Sequence, residues 1–253
     1  MKQIKLFPVI CGIFVAVIGG VLTFLTRDSA LSGGDAIPFA CSLILCVLGV
    51  FCSVLGCLPS RQPTDTRTLA LAALFTALCY IGFTYCKIDI PVGAEKTAFH
   101  LGNVFCVLAA LLLGGFWGGM AGAVGMTLAD LTTAYVTSAP KTFVLKLCIG
   151  LLVGLVAHKV FHISKDENRK VPLPVATVLS CCAGMVFNIV ADPVLGYFYK
   201  MYVLGVPQDA AKIWAKIGAL TTSVNAVVAI IAATIFYLAL RPALKRTNLL
   251  PRL

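Results

Sequence analysis

The segment from residue 100 to residue 154, HLGNVFCVLAALLLGGFWGGMAGAVGMTLADLTTAYVTSAPKTFVLKLCIGLLVG, admits few folds. It is almost wholly apolar or small, yet it carries His100, Asn103, Asp130, Lys141 and Lys146. Water does not tolerate so large an exposed apolar surface, and hydrocarbon does not tolerate Asp130 or Lys146 facing it without a partner. Ionisable side chains within membrane segments turn toward a bundle interior or a cavity, and they mark binding sites. The segment reads as the heart of a polytopic membrane protein that encloses something small and polar.

The rest of the chain agrees. It is 60% hydrophobic and 12% charged, against about 45–50% and about 25% in soluble domains. Apolar runs of about 20 residues recur along it, and the short connections between them leave no room for a soluble domain. A net charge of +10 is explained by basic cytoplasmic loops rather than by a nucleic-acid partner. The 11 cysteines form no CxxC pair and no zinc-type Cys/His spacing, so neither a metal nor a cofactor is expected. They fill apolar space.

Two apolar runs at 6–26 and 37–58 carry no interior charge and form an N-terminal transmembrane hairpin at 1–59. The first lacks an A-x-A cleavage site and reads as a retained helix. A basic cytoplasmic linker, SRQPTDTR, follows at 60–67. Six further spans are expected at about 68–86, 100–116, 118–136, 142–162, 172–199 and 217–240, with the glycine-rich GGFWGG at 114–119 separating the second from the third. The expected fold class is all-α integral membrane, a six-helix core at 68–253 behind the hairpin. With eight spans, the basic clusters around Lys5, Arg67, Arg169 and Arg246 share one side. Both termini of this multi-pass cell-membrane protein are then cytoplasmic.

Orientation sets depth. At about 1.5 Å per residue, Asp130 lies about 9 Å below the outer end of its span and Lys146 about 6–8 Å below that of the next. Either charge alone is costly in hydrocarbon, so a buried Asp130–Lys146 pair is expected. His100, Asn103, Asn188, Asp192 and Asn225 fall in the same outer third, as do Thr221, Thr222 and Ser223, and Lys216 stands at the outer end of the last span. The cytoplasmic halves of these helices are nearly all Leu, Val, Ala, Gly and Ile. A pocket open outward and closed inward fits this asymmetry, with His100, Asn103, Asp130, Lys146, Asn188, Asp192, Lys216 and Asn225 as substrate-binding candidates.

Plainer roles stand beside these. Asp130 and Lys146 serve equally as a helix-to-helix staple, His100 and Asp192 as interfacial residues reaching headgroups, and the hydroxyls as partners of their own backbone. KIDIPVGAEKTAF at 87–99 is either a lid or a solvated loop. Trp117, Trp214, Tyr80, Tyr85, Tyr135, Tyr197 and Tyr199 suit stacking on a flat heterocycle or an interfacial belt. Ala70, Ala73 and Ala77 recur one turn apart, and so do Gly118 with Gly122 and Ala121 with Gly125. Such faces permit close helix approach, within the chain or to a membrane partner docked at Ala73 and Ala77.

Motif absences bound the chemistry. No GxxxxGK[ST], GxSxG or HExxH occurs, so the chain neither hydrolyses ATP by the P-loop route nor reads as an enzyme. Energy for uphill movement must come from a partner or an ion gradient.

The runs TRTLALAALFTALCYIG, IPVGAEKTAFHLGN, LAALLLGGFWGGMAGAVGMTLADL and PKTFVLKLCIGLLVG resemble the substrate-binding (S) components of energy-coupling factor (ECF) vitamin transporters, in the riboflavin-type branch. AKIGALTTSVNAVVA at 215–229 is similar to the closing helix of that branch. The resemblance implies six helices, an outward-facing pocket for riboflavin or for a pyrimidine- or pyridoxine-type precursor, and a lid between the first two helices. It also implies a transmembrane coupling subunit and two cytoplasmic ATPases, docked through an AxxxA motif that falls on Ala73 and Ala77. The N-terminal hairpin is additional to that pattern. Two other classes compete. One is a stand-alone secondary transporter relaying protons through Asp130 or Asp192, although no duplicated half is visible. The other is an intramembrane enzyme, for which no acid–base or metal set is found.

Overall fold

A computed structural model describes residues 65–92, 95–165, 171–247 and 249–250. The expected hairpin at 1–59 lies outside these residues. The first helix, α1, runs Thr66–Thr84 and starts where Asp65 accepts the Thr68 N–H at 2.9 Å and the Thr68 hydroxyl as well. A carboxylate at this position satisfies an amide that the helix cannot. The Thr68 bonds hold the Asp65 carboxyl below its ordinary range. After α1 the chain makes two antiparallel strands, β1 (Lys87–Val92) and β2 (Glu95–His100), with Lys87 opposite His100 and Val92 opposite Glu95. Leu101 then donates its N–H to Gly82 O at 3.1 Å, fastening the base of the hairpin to the end of α1.

Helices α2 (Gly102–Leu113) and α3 (Gly115–Leu131) follow, separated by Gly114 alone at φ 87°. That left-handed backbone suits glycine and breaks the helix in one residue. The expected turn over GGFWGG is thus narrower than its glycines imply, since the residues after Gly114 are helical. Helix α4 (Ala139–Leu155) has Pro140 in its first turn, where a missing N–H costs nothing, and ends in a π-turn at Val156–Val160. Helix α5 spans Leu173–Phe198 with Pro193 inside it, and α6 spans Gln208–Arg246 with Pro242 inside it.

Four helical stretches among the described residues are long and apolar enough to cross a membrane: Thr66–Thr84, Val136–Val160, Leu173–Val203 and Gln208–Arg246. The spans expected at 100–116 and 118–136 are shorter as helices. The 12 residues of α2 rise only about 18 Å, against about 30 Å of hydrocarbon. Two events shorten it: His100 is drawn into β2, and Gly114 ends the helix. Every α2 residue except Phe105 is buried, as expected of a helix apolar on all sides.

Packing between helices rests on small residues. A Cβ placed on Gly150 would collide with the Gly119 backbone, and one on Gly154 with that of Gly115, so α3 and α4 meet backbone to backbone. Gly118 faces the Ala110 backbone and Gly122 faces Cys106 on α2, while Gly125 faces the Thr76 carbonyl on α1. Close approach of this kind replaces the hydrophobic drive that lipid does not supply. Intramolecular packing accounts for Gly118, Gly122 and Gly125. Ala70, Ala73 and Ala77 stay exposed on α1 beside Leu74 and Ile81.

Phe198–Val206 belongs to a separate compact unit. Within it the chain makes a π-turn at Tyr199–Val203, and Phe198 stacks on Tyr202 with ring centroids 6.1 Å apart.

Candidate ligand-binding site

Polar side chains from β2, α2, α3, α4, α5 and α6 gather at one level. Asp192 on α5 accepts from Lys141 Nζ at 2.7 Å and from the Thr222 hydroxyl at 2.8 Å. Lys141 stands two residues inside the start of α4, and a Cβ on Gly196 would lie 3.3 Å from its Nζ, so Gly196 leaves the lysine its room. Each carboxylate oxygen of Asp192 therefore has a partner. Lys146, five residues further along α4, is 6% exposed and lies within electrostatic reach of Asp192, Lys141 and Asp130.

The pair expected from depth is not formed. Asp130 makes no ion pair with Lys146, and the carboxylate that takes a lysine of α4 is Asp192. The reason is rotational: Asp130 is turned toward Thr142, one residue beyond Lys141. Asp130 is 2% exposed, and its Oδ2 has no hydrogen-bond partner. The same holds for Oδ1 of Asn103, Oδ1 of Asn188 and Nδ1 of His100, all buried and unsatisfied by protein. Buried polar atoms are nearly always hydrogen-bonded, so a concentration of exceptions calls for a partner outside the chain.

Strand β2 of the hairpin is held against α6 beside this cluster. Asn225 on α6 accepts the His100 N–H through Oδ1 at 3.0 Å and donates through Nδ2 to Ala98 O at 3.0 Å. The Thr97 and Thr221 hydroxyls meet at 3.2 Å. Asn225 thus uses one donor and one acceptor of its amide to position β2. On the other edge, Tyr135 donates to Asp89 at 2.8 Å, and Lys87 pairs with Asp89 at 3.3 Å while lying 4.9 Å over the Tyr135 ring. Burial raises the Asp89 carboxyl, but the Tyr135 hydroxyl and Lys87 together outweigh it and hold the group below its usual range. Phe83 packs against the His100 ring at 4.5 Å and edge-on to Tyr135 at 5.6 Å, fixing His100 in the cluster.

Of the eight candidates, His100, Asp130, Lys146, Asp192 and Asn225 are linked by contact or electrostatic reach, while Asn103 follows His100 by three residues and Asn188 precedes Asp192 by one helical turn, both buried. Lys216 stands exposed on α6, outside the buried group. Lys141, Thr142 and Thr222 belong to it and were not among the candidates. Lys141 is legible in retrospect, since α4 begins and α5 ends on the same side, which brings Lys141 level with Asp192. Trp117 is half-buried against Phe116 with its Nε1 unsatisfied, and Tyr85 is 75% exposed. Among the described residues no group of His, Cys, Asp and Glu has the makings of a metal site.

The profile of the family described as "ECF-type riboflavin transporter, S component" matches residues 64–242. The chain belongs to this family. Its S-component segment takes in the whole hairpin and every member of the polar cluster, from Lys87 to Asn225. A protein of Pyrococcus woesei described as "Uncharacterized protein in gap 3'region" is 33% identical over 123 residues, covering 49% of this chain and 72% of that one. No solved structure matches the chain. As an S component it is a multi-pass membrane protein of a transporter family rather than of an enzyme family.

Proposed function

We propose that this S component captures a B-type vitamin or precursor (riboflavin, or a hydroxymethylpyrimidine- or pyridoxine-like compound) from outside the cell. It delivers that solute together with a separate ATPase module: a transmembrane coupling subunit and two cytoplasmic ATPases. The observation that carries this reading is the set of buried, unsatisfied polar atoms on His100, Asn103, Asp130 and Asn188, from four different elements, beside buried Lys146. Burying such groups for packing alone costs about 1–3 kcal/mol each, and a polar ligand offsets that cost. The described hairpin supplies a cover, and exposed Ala73 and Ala77 supply a surface for the coupling subunit. On this reading both termini are cytoplasmic, the six helices at 68–253 form the binding core, and the hairpin expected at 1–59 serves as an accessory anchor or as a contact for another subunit.

A proton-relay transporter is less well supported. Asp192 is committed to Lys141 and Thr222, which leaves Asp130 as the one relay carboxylate. The test is a binding screen of the purified chain against riboflavin, hydroxymethylpyrimidine, pyridoxine and thiamin by fluorescence quenching. One compound is expected to bind stoichiometrically at nanomolar to low micromolar Kd, without turnover. Uptake driven by a proton gradient with no ATPase subunit present would overturn the reading.

A further inference from the structure

Charge balance at the cluster identifies the class of ligand. The ionisable groups facing the site from each element are Lys141 and Lys146 on α4, Asp130 on α3, Asp192 on α5 and His100 on β2, with the Lys87–Asp89 pair behind them on β1. Each cation is matched by an anion, and the His100 imidazole is neutral in its ordinary form near pH 7. A proton passing between Asp130 and Lys146 would leave the sum unchanged.

The internal distribution matters more than the sum. Lys141 and Asp192 neutralise each other by direct contact at 2.7 Å. Asp130 and Lys146 do not touch, although both are over nine-tenths buried. Asp130 Oδ2 has no hydrogen-bond partner, and buried Lys146 reaches Asp130 and Asp192 only across space, without an ion pair to either. A carboxylate and an ammonium held apart in a low-dielectric interior are costly unless something polar bridges them. The bridging group must donate toward Asp130 and accept from Lys146.

We infer that the site takes an uncharged ligand, one that presents a hydrogen-bond donor to Asp130 and an acceptor to Lys146, and that it selects against phosphorylated or carboxylated forms of the same compound. A ligand bearing net charge would bring into the buried cluster a charge with no counter-charge, because the two lysines and the two carboxylates there already balance in number. Asn103 and Asn188, neutral amides with their Oδ1 atoms unsatisfied, supply further directional contacts without changing the balance. This inference rests on the vitamin-binding reading above and sharpens it: Lys146 is not an anion clamp.

The experiment compares matched pairs on the purified full chain in nanodiscs: riboflavin with riboflavin 5′-phosphate, pyridoxine with pyridoxine 5′-phosphate, and hydroxymethylpyrimidine with its phosphate. For whichever compound binds, the uncharged member is expected to be tighter by roughly tenfold or more, the scale on which an unmatched charge enters binding. Asp130→Asn leaves an excess positive charge and should shift that ratio at least about fivefold toward the phosphate. Lys146→Gln should shift it the other way, and the double variant should return it to the wild-type value. A wild-type chain that binds the phosphate as tightly as the uncharged member overturns the inference, and so do ratios unmoved in both folded variants. Should a variant not fold, the wild-type ratio decides. Silence from every pair on folded chain would instead overturn the vitamin-binding reading, and the charge rule with it.

Discussion

Asp192 shows how one residue's partners decide its role. With one oxygen on Lys141 and the other on Thr222, it is a positioned anion rather than a free one. Asp192→Asn should strand Lys141 and lower stability by about 2–3 kcal/mol, allowing for the partial exposure of both side chains. Lys141→Met combined with Asp192→Leu should cost less than the two single changes summed, which a thermal-melt double-mutant cycle checks. Asp89 makes a different prediction. Its folded carboxyl lies below the ordinary range, so its contribution is full above the unfolded value near pH 4 and is lost as pH falls through the lower, folded value. Hydrogen exchange in the hairpin should therefore quicken on acidification, and Tyr135→Phe should produce part of that loosening at neutral pH. Sequence depth assigns the candidates to one outer layer because rise per residue is nearly invariant. It could not give rotation about each helix axis, and rotation is what sends Asp130 to Thr142 and Asp192 to Lys141.

Among the elements, α3 depends on glycine at Gly115, Gly118, Gly119, Gly122 and Gly125, and α4 on Gly150 and Gly154. Gly150→Val should abolish folded, monodisperse protein, because backbone atoms of Gly118 and Gly119 cannot yield as a side-chain tip would. Size-exclusion chromatography of the expressed variant checks this. Asn225→Ala removes the two main-chain tethers of β2 and should speed ligand dissociation more than it slows association, as stopped-flow fluorescence would show. Helical periodicity and hydropathy made the long helices legible. The hairpin was not, because KIDIPV and EKTAFH are too short and too mixed in character to declare strands. One of its anchors is Asn225, which is 125 residues away from His100. The brevity of α2 was also hidden, since an apolar run has the same hydropathy whether it spans lipid or lies wrapped in protein.

For the molecule as a whole, the proposed function calls for one surface for the solute and another for the ATPase module. Ala73 and Ala77 lie on the exposed face of α1, whereas the polar cluster is assembled from β2 and the later helices. Ala73→Trp with Ala77→Trp is expected to leave ligand affinity within about twofold while abolishing ATP-dependent uptake in vesicles that contain the coupling module. Equal loss of both would show that the face is not a separate docking surface. The tether on the hairpin has a consequence on a longer timescale. Asn225 grips β2 through the main-chain atoms of Ala98 and His100, which every amino acid except proline provides in full. Apart from Thr97 and His100, whose side chains meet Thr221 and Phe83, side chains along that strand take no part in this tether. Under the proposed capture of a solute, a lineage can exchange those other side chains one at a time, altering which solute is admitted, while the main-chain tether stays intact.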